Sequence, residues 1–287
     1  VIVVVVGETY EESGEAAARA DLAFSAPQVK LVKALAATGK PVVALVEGGR
    51  PMVVEDIRDD VAALAMVWFP GTYGAIGVAE VLFGDVAPSA RSPMTWPRST
   101  GQLPLSYDRL PTGRPASADD KWTNKYIDVG WTPRYPFGHG LSYGTTTFSA
   151  PRLDRAKASP TDTVRVTVTV KNDGPMALRE TVQVYVHDVI ASRSRPGREL
   201  KGFAQVDLAP GEAKDVTVPI RVETLGFHVE DGSWVVEPGR FEIFVGKNAE
   251  AEAEVDLEVT KGLRVRPWEA PIRSEERRVG KECRSRW

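Results

Sequence analysis

Val1-Ile2-Val3-Val4-Val5-Val6-Gly7, then Ser25 through Gly39, then Pro41-Val42-Val43-Ala44-Leu45-Val46: this order decides the class of the N-terminal third. The opening run is short, continuous and β-branched, which predicts a buried parallel strand covered on both faces. No basic segment precedes it and no small-residue cleavage site follows, so it is not a signal-peptide core. Ser25 is placed to N-cap a helix, with Gln28 completing a capping box. Val29, Val32 and Ala36 with Leu31 and Leu35 supply its apolar face, and Gly39 ends it. Pro41 to Val46 reads as a second buried strand. Ala62 to Phe69 is a third apolar stretch, and Tyr73 to Phe83 a second helix stopping at Gly84. Strand and helix alternate, so residues 1–97 are expected to form an α/β sandwich domain around a mostly parallel sheet.

Beyond Pro97 the periodicity stops. Residues 98–149 are rich in Pro, Gly, Tyr and Trp and read as a loop-rich extension or linker, too aromatic to be disordered. Period-2 alternation then takes over. Val164, Val166, Val168 and Val170 show it, as do Val182, Val184 and Val186. It recurs in Val216, Val218, Ile220 and Val222, in Phe241, Ile243 and Val245, and in Val255, Leu257 and Val259. Turns at Asn172-Asp173-Gly174, Pro210-Gly211, Glu230-Asp231-Gly232 and Pro238-Gly239 separate these runs. Residues 150–262 are therefore expected to be an all-β, immunoglobulin- or fibronectin III-like sandwich, and 263–287 a tail.

Both ends colour the averages. A chain opening inside a core strand is expected to be a fragment lacking its N-terminal part. Arg273 to Trp287 matches a translated frame of a common sequencing adapter, so it is expected to be non-native and is excluded from fold reasoning. The 287 residues carry 36 basic and 39 acidic side chains, net −3. That terminal segment holds six of the basic and three of the acidic residues, so without it the balance is 30 against 36, net −6. It also holds the single cysteine, Cys283, leaving no disulfide and no thiolate nucleophile. Two domains fit the length. No apolar run reaches the roughly 18 residues of a membrane helix, and the slightly acidic balance argues against nucleic acid as a partner.

Familiar catalytic signatures are missing: no P-loop, no GxGxxG after the first strand, no HExxH and no GxSxG. His139, His187 and His228 lie far apart without ligand spacing, so no metal and no cofactor is expected. Carboxylate chemistry remains. The loop after the first strand reads Gly7-Glu8-Thr9-Tyr10-Glu11-Glu12-Ser13-Gly14-Glu15-Ala16-Ala17-Ala18-Arg19. In an open α/β sheet, ligands bind beyond the carboxyl ends of the strands. A carboxyl group there serves as a general acid if burial or a neighbouring like charge raises its pKa. A solvated acidic loop is the plainer alternative on the residues alone.

Several stretches, in this order, resemble the C-terminal half of a glycoside hydrolase family 3 enzyme of the β-glucosidase type. They are Gly48-Gly49-Arg50-Pro51, Trp68-Phe69-Pro70-Gly71, Val81 to Ser89, Pro93 to Ser99, Gly101-Gln102-Leu103-Pro104 and Tyr135 to Tyr143. Thr181 to Val186 and Arg195 to Phe203 continue the resemblance into the β domain, which is similar to the fibronectin type III-like module of such enzymes. Glu47 stands where many relatives have Asn, and Ala90 and Ser92 where Gly and Leu are usual.

The resemblance implies a retaining glycosidase with a nucleophilic Asp on an N-terminal barrel, absent from this sequence, and an acid/base Glu on the α/β domain. Its Glu-Ala-x-x-Arg context maps to Glu15 with Arg19 following; Glu8, Glu11 and Glu12 are local competitors. The implied partners are a β-glucoside or oligosaccharide substrate and the barrel, with periplasm or secretion favoured as the compartment. A β-xylosidase or glycoside phosphorylase of the same family, or a non-catalytic carbohydrate-binding module, are the alternatives. Arg50 is expected to pair with a carboxylate at a domain boundary rather than reach the active site. The aromatics of 122–143 are expected to pack between the domains rather than stack on sugar, and the 187–198 loop to be solvated.

Overall fold

The computed structural model describes residues 1–271; the expectation for residues 273–287 lies outside them. The chain forms two compact units, the first comprising Val1–Tyr107 and Thr112–Tyr143, the second Asp108–Pro111 and the chain from Gly144 onward. The loop-rich stretch is thus divided between them and is no unit of its own.

The first unit runs β1 (Ile2–Gly7), α1 (Ala26–Ala36), β2 (Val42–Glu47), α2 (Glu55–Arg58), β3 (Ala63–Met66), α3 (Gly74–Phe83). Its three strands form a parallel sheet in the order β1-β2-β3, pairing Ile2 with Val42 through Gly7 with Glu47 and Val43 with Ala63 through Val46 with Met66. The core gathers Val4 and Val6 of β1, Val42, Ala44 and Val46 of β2, Val32 of α1, Ile57 and Trp96. The Trp96 indole N–H donates to the Met52 carbonyl at 2.6 Å, which satisfies its one polar atom in the core.

Three expectations are corrected here. The opening valines are buried on one face only: Val4 and Val6 are inside, whereas Val3 and Val5 are exposed. The physical reason is that successive side chains point to opposite faces, and only the face carrying Val4 and Val6 is covered by the core with Val32 of α1. Second, Ser25 sits at the N-cap of α1 without a side-chain cap bond. Gln28 is used elsewhere: its amide takes the Gly7 N–H at 3.1 Å and donates to the Gly7 carbonyl at 2.9 Å. That pairing pins the end of β1, where Gly7 has φ 137° and a Cβ would lie 1.8 Å from the Glu47 carbonyl oxygen, so only glycine fits. Third, helix α1 ends before Gly39, at Ala36. Helix α3 ends as expected at a left-handed Gly84, whose N–H and that of Asp85 reach back to Val81 and Glu80. No residue of α3 is fully buried, and Ile76 and Phe83 are exposed.

The second unit is all-β. Its strands are β4 (Thr146–Phe148), β5 (Arg152–Leu153), β6 (Lys157–Ala158), β7 (Thr163–Asn172), β8 (Leu178–Asp188) and β9 (Glu199–Leu208). Then come β10 (Ala213–Arg221), β11 (Phe227–His228), β12 (Trp234–Val236), β13 (Gly239–Gly246), β14 (Ala253–Val259) and β15 (Leu263–Val265). One sheet has the order β6-β14-β13-β8-β9; a second has β10-β7-β4 with β5 also on β7; a third is β11-β12-β15. The alternating valines of β7, β8 and β10 are buried as their period demands. Strand β9 is weakly marked in the sequence because Gly202 interrupts its core-facing register. A Cβ on Gly202 would meet Val218 at 2.7 Å and Ile220 at 3.0 Å across the sandwich, so no large apolar residue can mark the register there. The start of the expected tail is also corrected: Leu263–Val265 pairs with Trp234–Val236, which gives those residues a ladder to join.

The aromatics of this unit do not form an exposed platform. Tyr185, Phe227, Trp234, Phe241 and Phe244 are buried, and Phe203 alone of the six is exposed. Nor is the 187–198 loop solvated throughout. Arg195 pairs with Glu199 at 2.6 Å and lies over the Phe227 ring, while Arg198 donates to the Ala251 carbonyl and covers Phe244. At the start of this loop Asp188 is buried with Oδ2 unsatisfied by any described residue. Burial pushes its carboxyl up to about 6, against the opposing charge of Arg195 and with Glu237 adding to the rise.

Because this folded-state value lies above the unfolded one, the stabilising contribution is complete below about pH 4 and is lost as the pH rises through 6. Asp188→Asn should therefore raise stability by on the order of 2 kcal/mol at pH 8 and change little at pH 4. Thermal melts of wild-type and variant chains at the two pH values measure this; an equal shift at both would contradict it.

Candidate active site

Three loops leave the carboxyl edge of the parallel sheet: residues 8–24 after β1, 48–54 after β2 and 67–73 after β3. The first carries the four acidic candidates, and the structure separates their environments. Glu8 is a buried anchor whose side chain has 0% exposure. Its Oε1 is 3.0 Å from Arg50 Nε and 3.3 Å from Arg19 Nη1. Its Oε2 accepts the Gly49 amide at 3.1 Å. Both oxygens are engaged within the cluster, by Arg50 and Arg19 on one side and the Gly49 amide on the other.

Glu12 is tied down differently. It accepts the Thr9 amide at 3.0 Å and lies 3.6 Å from Arg19 Nη1. The Thr9 amide first, then the Arg19 charge, hold its carboxyl below the usual range, which suits a structural acceptor and not a general acid. Glu11 is exposed and accepts the Tyr10 hydroxyl at 3.1 Å. Glu15 is exposed and has no ion pair or hydrogen bond to its side chain among the described residues.

The backbone around Glu15 is unusual. Gly14 has φ 121° and Ala16 φ 61°. A non-glycine residue in the left-handed region costs roughly 1–2 kcal/mol, and the surroundings must hold it there. Ala16 and Trp68 are the positive-φ non-glycine residues among those described, and both sit in loops at this edge. Arg50 closes the first loop: its Nη2 donates to the Glu12 carbonyl at 3.1 Å and to the Ala17 carbonyl at 2.9 Å. Arg50 is therefore bound to a carboxylate as expected, but within this loop cluster rather than at a domain boundary. Gly49 packs closely: a Cβ there would lie 2.6 Å from Ser13 Oγ, which would have to turn away, and 3.5 Å from the exposed Phe69 ring. The Gly48 amide is 3.4 Å from the Trp68 carbonyl, which ties the second loop to the third.

The segment 122–143 contributes packing to the first unit. Tyr135 meets Trp96 edge-on at 6.4 Å and stacks on His139 at 4.7 Å, while Phe137 stacks on Tyr107 at 4.2 Å. Burial, and then the Arg91 charge, lower the His139 pKa, so this ring is a packed neutral group. Trp122 is exposed. No cluster of three or more His, Cys, Asp or Glu able to hold a metal occurs among the described residues, and no helix there is long and apolar enough to cross a membrane. Sequence reasoning missed the Glu8, Arg19 and Arg50 cluster as a unit. Its members lie 11 and 42 positions apart, and only the parallel register brings them together.

Residues 1–143 match the family model described as the glycosyl hydrolase family 3 C-terminal domain, and residues 180–249 the fibronectin type III-like domain. A periplasmic beta-glucosidase of Salmonella typhimurium is 41% identical over 248 residues, covering 86% of this chain and 32% of that protein. A beta-xylosidase of Formosa agariphila is 37% identical over 88% of this chain and 34% of its own length. The chain thus spans about a third of these relatives. Among solved structures, a beta-glucosidase from Listeria innocua in complex with gluconolactone superposes with TM-score 0.86 at 36% identity. The match covers 91% of this chain and 37% of that one.

Removing one member of a buried ion cluster leaves the others unpaired, at a typical cost of 3–5 kcal/mol. Glu8→Ala should destabilise the chain by about 3 kcal/mol, whereas Glu15→Ala should leave the unfolding midpoint unchanged. Urea titrations of the two variants measure the contrast.

Proposed function

The chain belongs to glycosyl hydrolase family 3, as its C-terminal domain followed by a fibronectin type III-like domain, and from that premise we propose that it is the acid/base half of a retaining β-glucosidase, with Glu15 as the acid/base residue. One observation carries the reading. Of four glutamates on the loop at the sheet's carboxyl edge, Glu8 is locked, the Glu12 carboxyl is held below its usual range by the Thr9 amide, Glu11 accepts a tyrosine hydroxyl, and Glu15 alone is unengaged. Glu15 is also the position that the family's Glu-Ala-x-x-Arg pattern selects.

In this proposal the nucleophilic Asp comes from a barrel domain in the part of the parent enzyme that precedes this sequence. The Asp attacks the anomeric carbon as the Glu15 carboxyl gives its proton to the glycosidic oxygen. Glu15, now a carboxylate, then takes a proton from the water that hydrolyses the glycosyl-enzyme, with the two carboxyl groups about 5–5.5 Å apart. The exposed apolar side chains of α3, Ile76 and Phe83, support the view that this unit works beside another domain, since such patches mark contact surfaces. The substrate class is a β-glucoside or oligosaccharide. A β-xyloside is the second reading, favoured by the 37% identical relative named a beta-xylosidase. A periplasmic location is supported by the Salmonella relative's name.

Two outcomes are expected. The 287-residue chain alone should not turn over an aryl β-glucoside, because it supplies only one of the two carboxyl groups; turnover would refute the proposal. In the full-length parent, Glu15→Gln should lower kcat on alkyl glucosides by about 100-fold or more and affect glucosides with good leaving groups far less. Equal losses on both classes would count against the acid role.

A further inference from the structure

We propose that Glu8 and Arg50 are positioning residues for the acid/base loop, acting on Glu15 through the backbone and not on substrate; this rests on the reading of Glu15 above. The path is continuous. Glu8 Oε1 takes Arg50 Nε at 3.0 Å, which orients the guanidinium. The same guanidinium spans the loop from both sides, holding the carbonyls of Glu12 and Ala17 at 3.1 and 2.9 Å. Glu15 lies between those two anchor points, beside an Ala16 held at φ 61°. Arg19 braces the other flank: its Nη1 is 3.3 Å from Glu8, and its Nη2 donates to the Ala23 carbonyl at 3.0 Å.

The arrangement fits a template better than a mere stabiliser. A planar, always-charged fork can hold a carboxylate and two carbonyls in fixed directions, which a lysine cannot reproduce. Arg50 spends its Nη2 on backbone oxygens that flank the exposed Gly14-Glu15-Ala16 stretch, so the bonds order that stretch rather than fill a core. Glu8 in turn has no exposure and no contact open to a ligand. The geometry therefore assigns the pair to setting where Glu15 presents its carboxyl group, and small displacements of such a group are costly: about 1 Å can remove 100-fold of rate.

The test has two arms. In the 287-residue chain, hydrogen exchange is followed for Glu8→Gln and Arg50→Lys. Amides 9–18 should lose at least about tenfold more protection than those of β2, because local opening is distinct from global unfolding. In the full-length parent, Arg50→Lys should lower kcat on an alkyl glucoside about tenfold or more, with KM within about twofold and much less loss on a dinitrophenyl glucoside, as for an interaction expressed only in the transition state. Glu8→Gln should behave alike. Unchanged exchange in 9–18, exchange that rises equally across β2, or equal kcat losses on both substrates would overturn the inference. Glu15→Gln is the control. If it leaves alkyl-glucoside turnover intact, the acid/base reading fails and the positioning role with it. If it abolishes turnover while Arg50→Lys and Glu8→Gln behave as wild type, the positioning role alone fails.

Discussion

A carboxylate without solvent must be matched by donors, and at Glu8 that requirement shapes the whole carboxyl edge of the sheet. The residue directly follows β1, so the strand register places its side chain beside the loop after β2. There the Gly49 amide and Arg50 meet it, and Arg19 returns from the far end of its own loop. Two acidic groups, Glu8 and Glu12, face two guanidiniums, so the cluster is close to neutral. Exposed pairs elsewhere, such as Arg179 with Asp207, are worth about 0–1 kcal/mol each. A buried cluster costs several times that to break, which makes Glu8 the point on which the conformation of the 8–19 loop hangs. The close approach at Gly49 and the left-handed Ala16 lie in the same loop cluster.

The two units solve the core problem by different means. The parallel sheet needs helices, and on one face α1 supplies the covering side chains, Val32 foremost. On the other face Val3 and Val5 remain exposed, as do Ile76 and Phe83 of α3. In the β unit the alternating valines are buried, and so are Tyr185, Phe227, Trp234, Phe241 and Phe244. The exposed apolar side chains of α3 are what a module that works beside another domain would show, in keeping with a chain that spans about a third of its relatives.

Much of this was legible in the residues. Val164 to Val170 and Val216 to Ile220 declared their strands by period alone, and Gly84 marked the end of α3. What escaped had physical reasons. Strand β9 hid because Gly202 interrupts its core-facing register where the sheets approach. The Ser25 and Gln28 capping box did not form because Gln28 had a better partner, the Gly7 peptide, which local sequence cannot show. Family pattern selected Glu15 among four neighbouring carboxylates, but nothing in the spacing revealed why the other three are occupied. Arg50 was expected to bind a carboxylate, yet its partner depended on parallel pairing over more than forty residues.

Chemical rescue tests the central assignment most directly. In the full-length parent, Glu15→Ala should form the glycosyl-enzyme from a dinitrophenyl glucoside and then stall for want of a base. Added azide, which needs no base to attack, should restore turnover and yield the β-glucosyl azide, as a retaining mechanism requires. No rescue by azide, or rescue at Glu11→Ala in place of Glu15→Ala, would contradict the account.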